Sequence, residues 1–255
     1  MRSLTKLLFI TIISYIYSLP LYPRKITPTT ESVPIPKYLQ ERLIRLHAIS
    51  MIVAWFLLIL KGIFYMRYYK QFLRNKTFFG FEIWFQVHRI FNITAFILIT
   101  ISIVATFTAN NFIWYGPQIK KSKSKTFEKW HSMIGVIAYL LIILQVLSSF
   151  FRCAPSKKNR IIFISIHRSF GITSFILALL NILIAVHFFP SLISNPTGAA
   201  DVLYVYYIII LLCIISNEIH IRFKIRIGLL LTLAILVFSS LIVCIYLSVL
   251  ICTSY

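Results

Sequence analysis

Six long apolar stretches, separated by short polar segments, constrain this chain more than any other feature. A transmembrane helix needs about 20 consecutive apolar residues. The chain is 59% hydrophobic and only 13% charged, proportions that a water-soluble domain of its 255 residues would not tolerate. The sequence therefore predicts an all-α integral membrane protein with six transmembrane helices, over residues 39–66, 82–107, 126–151, a fourth stretch ending near 189, 202–221 and 227–252.

The first residues have the pattern of a secretory signal peptide. Arg2 and Lys6 precede an apolar run that ends before Ser18 and Pro20, and this order is typical of a cleaved leader. We predict a signal peptide over 1–18 and an exoplasmic segment over 19–38; an uncleaved signal anchor is the alternative. Either one directs the first transmembrane helix towards the cytosol. Basic residues cannot decide the orientation, because the two membrane faces carry 11 and 10 of them.

The net charge of +20 does not indicate a nucleic-acid partner. The 26 basic residues lie in short clusters between the apolar stretches, where lysine and arginine meet lipid headgroups. We therefore expect the lipid bilayer as partner and no nucleic acid. The four cysteines have no metal-binding spacing and are expected to be buried small side chains.

Each of the first four apolar stretches carries a histidine near its start: His47, His88, His131 and His167. An ionisable side chain inside a bilayer is costly and is usually functional. Consecutive membrane helices alternate in direction, so His47 and His131 should lie near the exoplasmic face and His88 and His167 near the cytosolic face. Helices one to four, over residues 39–189, are thus expected to form a four-helix core with two sites roughly 20 Å apart.

The chemistry of these two sites favours haem over a single metal ion. Zinc or copper would want three or four protein ligands, whereas haem needs two axial ligands and suits an apolar bundle. Gly135 and Gly171 lie four residues after His131 and His167 and would leave room for a porphyrin. Arg89 and Arg168 each follow a candidate ligand and would bind haem propionates or, alternatively, extend to the headgroups. The sequence therefore predicts a haem at each of the two sites.

Several motifs on these four helices resemble the cytochrome b561 family, in the branch of the ferric-chelate reductases and DOMON-associated domains. The resemblance covers about residues 45–189, and residues 190–255 would add two further helices. It rests on His47-Ala48-x-x-Met51 with Trp55 and Arg67-Tyr68, on Trp84-Phe85-Gln86-x-His88-Arg89, on His131-x-x-x-Gly135 with Leu144-Gln145 and Phe151-Arg152, and on His167-Arg168-x-x-Gly171 with Asn181.

The resemblance implies two b-type haems, each held by two histidines from alternate helices. It also implies electron transfer across a plasma membrane or endomembrane, from cytosolic ascorbate to an exoplasmic acceptor such as ferric iron or monodehydroascorbate. Since no GxGxxG motif occurs and no loop could hold a flavin domain, we expect a diffusible reductant or a separate donor protein. Self-association as a homodimer stays open.

Two other functions compete with this interpretation. A multi-pass transporter could line its path with histidines, although it would usually add acidic residues and helix breaks at mid-membrane. A haem-binding scaffold or sensor without turnover is the other alternative. Of the remaining ionisable groups, Lys61 is expected to extend to the headgroups or, alternatively, to approach a haem propionate. His187 is expected to be interfacial, with contact to an electron acceptor as the alternative, and His220 to be structural or interfacial.

Overall fold

The computed structural model describes residues 35–73, 75–117, 126–152 and 159–254. The predicted signal peptide over 1–18 and most of the predicted exoplasmic segment lie outside these residues. The described part of the chain is helical apart from short connections.

Within the described residues, six helices are long and apolar enough to cross a membrane, which confirms the predicted all-α membrane fold. Three antiparallel pairs succeed one another along the chain, α1 with α2, α3 with α4 and α5 with α6, and α1 also packs against α4 and α6. The helices are α1 (Lys37–Phe72), α2 (Ile83–Ala109), α3 (Thr126–Phe150), α4 (Arg160–Phe188), α5 (Pro196–Arg222) and α6 (Arg226–Cys252).

Helix α5 begins six residues earlier than its apolar stretch suggests. Pro196 occupies the first turn, where a proline has no hydrogen bond to lose. The side chain of Asn195 caps the helix by accepting a hydrogen bond from the Gly198 N–H at 3.0 Å. The sequence prediction treated this proline and glycine as loop residues, whereas they form the start of the helix.

Helix α1 is the most irregular of the six and also the most buried. Its regular part over Lys37–Ile52 is followed by π-helical turns at Val53–Ile59 and Tyr65–Tyr69. A π turn adds one residue to a helix without breaking it and therefore shifts the register of the residues on its C-terminal side. The first π segment buries Trp55 and Phe56 at the centre of the helix packing.

A short β-hairpin connects α1 to α2. Strand β1 (Thr77–Phe78) pairs antiparallel with strand β2 (Phe81–Glu82). The two turn residues, Phe79 and Gly80, have φ of 50° and 73°, as a tight hairpin turn requires. The Phe79 ring is 81% exposed, so the hairpin presents an aromatic tip at this end of the bundle.

Lys61 does not extend to the headgroups, and that expectation is wrong. Its side chain is only 4% exposed. The ammonium donates to the Phe56 carbonyl at 3.1 Å and to the Ser240 hydroxyl on α6. The Ser240 Oγ in turn lies 2.7 Å from the Tyr206 hydroxyl on α5. Lys61 therefore connects α1 to the last two helices through a buried polar cluster.

A second buried polar cluster joins the same three helices. Thr232 on α6 donates to the amide oxygen of Asn217 on α5 at 2.5 Å. The Tyr69 hydroxyl on α1 lies 3.3 Å from both the Thr232 hydroxyl and the Asn217 amide nitrogen. Since buried polar groups hold a helix pair in one register when they are satisfied, α5 and α6 are fixed against α1.

Candidate haem sites

The four predicted histidines meet in two pairs across the bundle. The ring centroids of His47 and His131 lie 6.3 Å apart with an interplanar angle of 77°. Those of His88 and His167 lie 6.5 Å apart at 61°. Two imidazoles bound on opposite sides of one metal, with metal–nitrogen bonds of about 2 Å, would have centroids roughly 6 Å apart. Each pair is therefore spaced to hold one metal ion between its rings.

Hydrogen bonds from the neighbouring helix fix the orientation of three of these rings. In each case the Nδ1 atom lies near a main-chain carbonyl, which can only accept. The Nδ1 atom must therefore carry the proton, and Nε2 keeps the lone pair that a metal needs. The bonds are His47 to Ser102 at 3.1 Å, His88 to Gly62 at 2.9 Å and His131 to Asn181 at 3.3 Å.

His167 reaches the same protonation pattern through a side chain. Its Nδ1 lies 3.2 Å from the Ser148 hydroxyl. That hydroxyl donates its own proton to the Gln145 carbonyl at 2.8 Å, so it accepts from His167. The Gln145 amide nitrogen lies 3.0 Å from Nε2 of the same ring. All four imidazoles thus have the lone pair on Nε2.

The sequence prediction missed an internal repeat. This repeat explains why each of the four histidines is contacted in a similar way by the neighbouring helix. Ser102, Gln145 and Asn181 each come fourteen residues after the histidine of their own helix, and each contacts the histidine of the antiparallel neighbour. Fourteen residues of helix span about 21 Å, which is close to the predicted separation of the two sites. On α1 the contact comes from Gly62, fifteen residues after His47, because the π turn at Val53–Ile59 adds one residue.

Four aromatic side chains lie midway between the two sites. Each comes eight residues after the histidine of its helix: Trp55, Phe96, Tyr139 and Phe175. Trp55 faces Phe175 with ring centroids 6.3 Å apart, and Phe96 stacks on Tyr139 at 6.4 Å and 15°. The sequence contains this spacing, and a search for residues at a constant offset from the histidines would have found it. We call these four residues the aromatic layer.

The two predicted glycines lie against amide side chains. A Cβ atom added at Gly171 would lie 3.0 Å from the Gln145 amide nitrogen, and one at Gly135 would lie 3.1 Å from that of Asn181. A side chain at either position would therefore displace an amide beside a candidate ligand. Their predicted role in making room for a porphyrin stays a prediction.

The two predicted arginines occupy different surroundings. The Arg89 guanidinium donates to the Gln86 amide oxygen and lies 5.2 Å from the Phe81 ring centroid. Arg168 is exposed, in a shallow groove along α4 beside Ser165. Their contacts with haem propionates stay predictions.

Arg152 is closer to a candidate site than the prediction recognised. Its guanidinium carbon lies 4.1 Å from the Phe85 ring centroid, and its charge interacts with both His88 and His167. Partial burial, together with the charge of Arg160, lowers the pKa of Arg152 from its ordinary value. The sequence indicated this residue only as part of the Phe151-Arg152 motif.

His187 and His220 each have a partner outside the two pairs. The Nε2 of His187 lies 3.1 Å from the Tyr204 hydroxyl on α5, and the Nδ1 of His220 lies 3.2 Å from the Ser216 hydroxyl. Both are bonded near helix ends, and their interfacial position stays a prediction.

The donor set of the two pairs suits haem. Within the described residues, no group of three or more histidine, cysteine or acidic side chains converges on one point. A site with two imidazoles and otherwise apolar or amide neighbours lacks the ligands that zinc requires, whereas haem requires only two axial ligands from the protein. The residues present fit a haem in each pair.

Comparison with known proteins identifies the family of the chain. A family model described as eukaryotic cytochrome b561 matches residues 46–189. Three relatives match about half of the chain: "Putative ferric-chelate reductase 1" of Xenopus laevis (30% identical over 136 residues), and ferric-chelate reductase 1 of Bos taurus (28% over 137) and of Homo sapiens (29% over 136). Each match covers 53% of this chain and 21% of the relative.

No solved structure matches the chain. The matched segment contains all four candidate ligands and includes α2, α3 and α4 in full. Because the family model covers more than half of the chain, the protein belongs to the eukaryotic cytochrome b561 family.

Proposed function

We propose that this protein carries electrons across a membrane through two b-type haems. Membership of the cytochrome b561 family supports b-type haem binding and transmembrane electron transfer in general. The chain spans only about a fifth of the length of the curated relatives it matches, so the donor, the acceptor and the number of haems are part of the proposal.

The proposal assigns His47 and His131 to one haem and His88 and His167 to the other. Each bound haem would supply a one-electron couple. The observation that carries this assignment is the spacing of the two pairs, 6.3 and 6.5 Å between ring centroids, with every Nδ1 bonded to a neighbouring helix. These bonds hold the ring planes and keep the lone pairs on Nε2. At His167 a bound iron would replace the Gln145 amide as the partner of that lone pair.

The aromatic layer supports the proposal that electrons, and not ions, pass between the two sites. Trp55 is 3% exposed, and the other three rings are half-buried. A charge placed in an apolar layer is strongly disfavoured. The layer would therefore hinder ions from passing between the two sites.

The predicted orientation would put the His88–His167 pair at the cytosolic end, where ascorbate would donate. Arg152 interacts with both histidines of this pair, and its charge would attract a small anion. Arg67 is less available to bind an anionic donor, because it forms a salt bridge with Glu218 at 3.1 Å. Ferric iron or monodehydroascorbate would be reduced at the His47–His131 end.

Absorption spectra of the purified protein, with and without ascorbate, test the haem assignment. We expect a b-type spectrum with two haems per chain and reduction by ascorbate. His88→Ala and His167→Ala should each remove one haem, and His47→Ala and His131→Ala should each remove the other. A protein without b-type absorption, or ligand variants that keep both haems, would refute the assignment.

Sealed vesicles loaded with acceptor test the direction and the substrate. Ascorbate outside inside-out vesicles should reduce lumenal ferric iron or monodehydroascorbate, and the preferred acceptor should react faster. Arg152→Gln should raise the KM for ascorbate with a small effect on kcat, since the charge acts on binding. A protein that takes up electrons but passes none to any lumenal acceptor would instead be a haem-binding scaffold or sensor.

A further inference from the structure

Lys61 carries a positive charge inside the helix bundle, with no opposite charge among its hydrogen-bond partners. Its side chain is 4% exposed, and it donates to the Phe56 carbonyl at 3.1 Å and to the Ser240 hydroxyl, which are both neutral. The thiols of Cys213 and Cys244 lie near enough to interact with it, and both are buried, where a thiol stays neutral. These neighbours therefore leave the charge of the ammonium uncompensated.

The position of Lys61 on α1 brings this charge close to one of the two candidate sites. Lys61 directly precedes Gly62, whose carbonyl accepts from the Nδ1 of His88 at 2.9 Å. It follows His47 by fourteen residues, which is about 21 Å along the helix. The charge is therefore nearer to the pair that contains His88 than to the pair that contains His47.

A charge at this position acts on the oxidation state of a haem. Salt screens a charge at the protein surface, whereas it screens a buried charge much less. An oxidised haem carries one positive charge more than a reduced haem, so a positive charge nearby disfavours the oxidised form. Because the electrostatic energy falls with distance, the effect is larger at the nearer of the two sites.

We propose that the buried charge of Lys61 raises the reduction potential of the His88–His167 haem more than that of the other haem. This inference rests on the proposed function, because it requires one haem in each histidine pair. Lys61 would act through its charge and not through a bond to a ligand. In the predicted orientation, the higher potential favours transfer of an electron from the cytosolic donor to the His88–His167 site.

Redox titration of the full-length protein at pH 6, where a lysine is more readily protonated than at neutral pH, tests this inference. Lys61→Met removes the charge and keeps a side chain of similar length. At fixed ambient potential, the ratio of reduced to oxidised His88–His167 haem should fall about tenfold, which corresponds to about 59 mV for a one-electron couple. A unit charge roughly 12 Å away has this effect at an effective dielectric constant of about 20. The other haem should shift less.

Two backgrounds and a second substitution make the assignment independent of any one variant. His47→Ala should keep only the His88–His167 haem, and His88→Ala should keep only the other haem. Each background therefore reports the shift at one site alone. Lys61→Gln, which is polar but uncharged, should lower the potential of the His88–His167 haem by a similar amount.

Ser240→Ala separates the charge of Lys61 from its packing. This variant removes a contact between α1 and α6 but keeps the ammonium, which still donates to the Phe56 carbonyl. The ratio of reduced to oxidised His88–His167 haem should therefore change less than twofold, even though the variant should be less stable than the wild type. A purely structural role of Lys61 would instead shift the potential in both variants.

Three results would overturn the inference while the haem assignment stands. They are an unchanged or higher potential of the His88–His167 haem without the Lys61 charge, an equal shift of both haems, and an equal fall in Ser240→Ala. A wild-type protein that holds no haem would instead refute the proposed function.

Discussion

Replacement of Lys61 by methionine should leave the protein as stable as the wild type or more stable, although it removes two hydrogen bonds. The ammonium is buried, with 4% exposure, against Phe56 and Ser240. Bringing a charge into such a place costs several kcal/mol, whereas hydrogen bonds to a charged group return about 1.5–3 kcal/mol each. Apolar replacements of buried ion pairs are often neutral or stabilising by about 1–4 kcal/mol. Lys61 has only neutral partners, so no opposite charge offsets its desolvation, and we expect the same range for Lys61→Met.

Removal of the partner hydroxyl in Ser240→Ala should instead lower the free energy of unfolding. The Ser240 hydroxyl donates to the Leu236 carbonyl at 2.6 Å, so its oxygen is left to accept from Lys61 and from the Tyr206 hydroxyl. Ser240→Ala therefore deprives a buried charge and a buried phenol of an acceptor at once. We expect a loss of about 2–4.5 kcal/mol, the sum of one charged and one neutral hydrogen bond.

The free energy of unfolding in mixed micelles, monitored by circular dichroism during titration with dodecyl sulfate, measures both effects. The double variant Lys61→Met with Ser240→Ala should lose less stability than Ser240→Ala alone, because no ammonium is left without an acceptor. If Lys61→Met destabilises the protein as much as Ser240→Ala does, hydrogen bonding outweighs desolvation at Lys61 and the expected sign is wrong.

Three further predictions address the site, an ion pair and the topology. Ser148→Ala should weaken haem binding at the His88–His167 site by about 10- to 100-fold, because it removes the acceptor that orients His167. Titration of the protein with haem measures this affinity, and Ser149→Ala, at an exposed position, is the matched control. Glu218→Gln should change stability by no more than about 1 kcal/mol in a thermal melt, because the ion pair is half exposed. Asn75, although followed by Lys and Thr in a glycosylation motif, should stay unmodified in the predicted topology, and an unchanged gel mobility after glycosidase treatment checks this.

The transmembrane helices and the pairing of the histidines can be predicted from the sequence because both depend on simple regularities. Apolar length predicts the spans, and alternation of helix direction predicts that His47 meets His131. The partners of these rings were not predicted, because they depend on the register between antiparallel helices. Lys61 was misjudged for a similar reason: its partner Ser240 is distant in sequence, and no local pattern indicates that contact.

The extra residue in the π segment Val53–Ile59 has a consequence for how the chain can change. Deletion of one residue there would give His47 and Gly62 the fourteen-residue spacing of the other three helices, and a regular α-helix would then keep the second half of α1 in the same orientation. The Gly62 carbonyl would stay at His88 and the adjacent Lys61 at Ser240. A second deletion has no extra residue to remove, and it would turn the second half of α1 by about 100°. The length of this segment can therefore fall by one residue, but not by two, while a candidate ligand and the attachment of α5 and α6 are both kept.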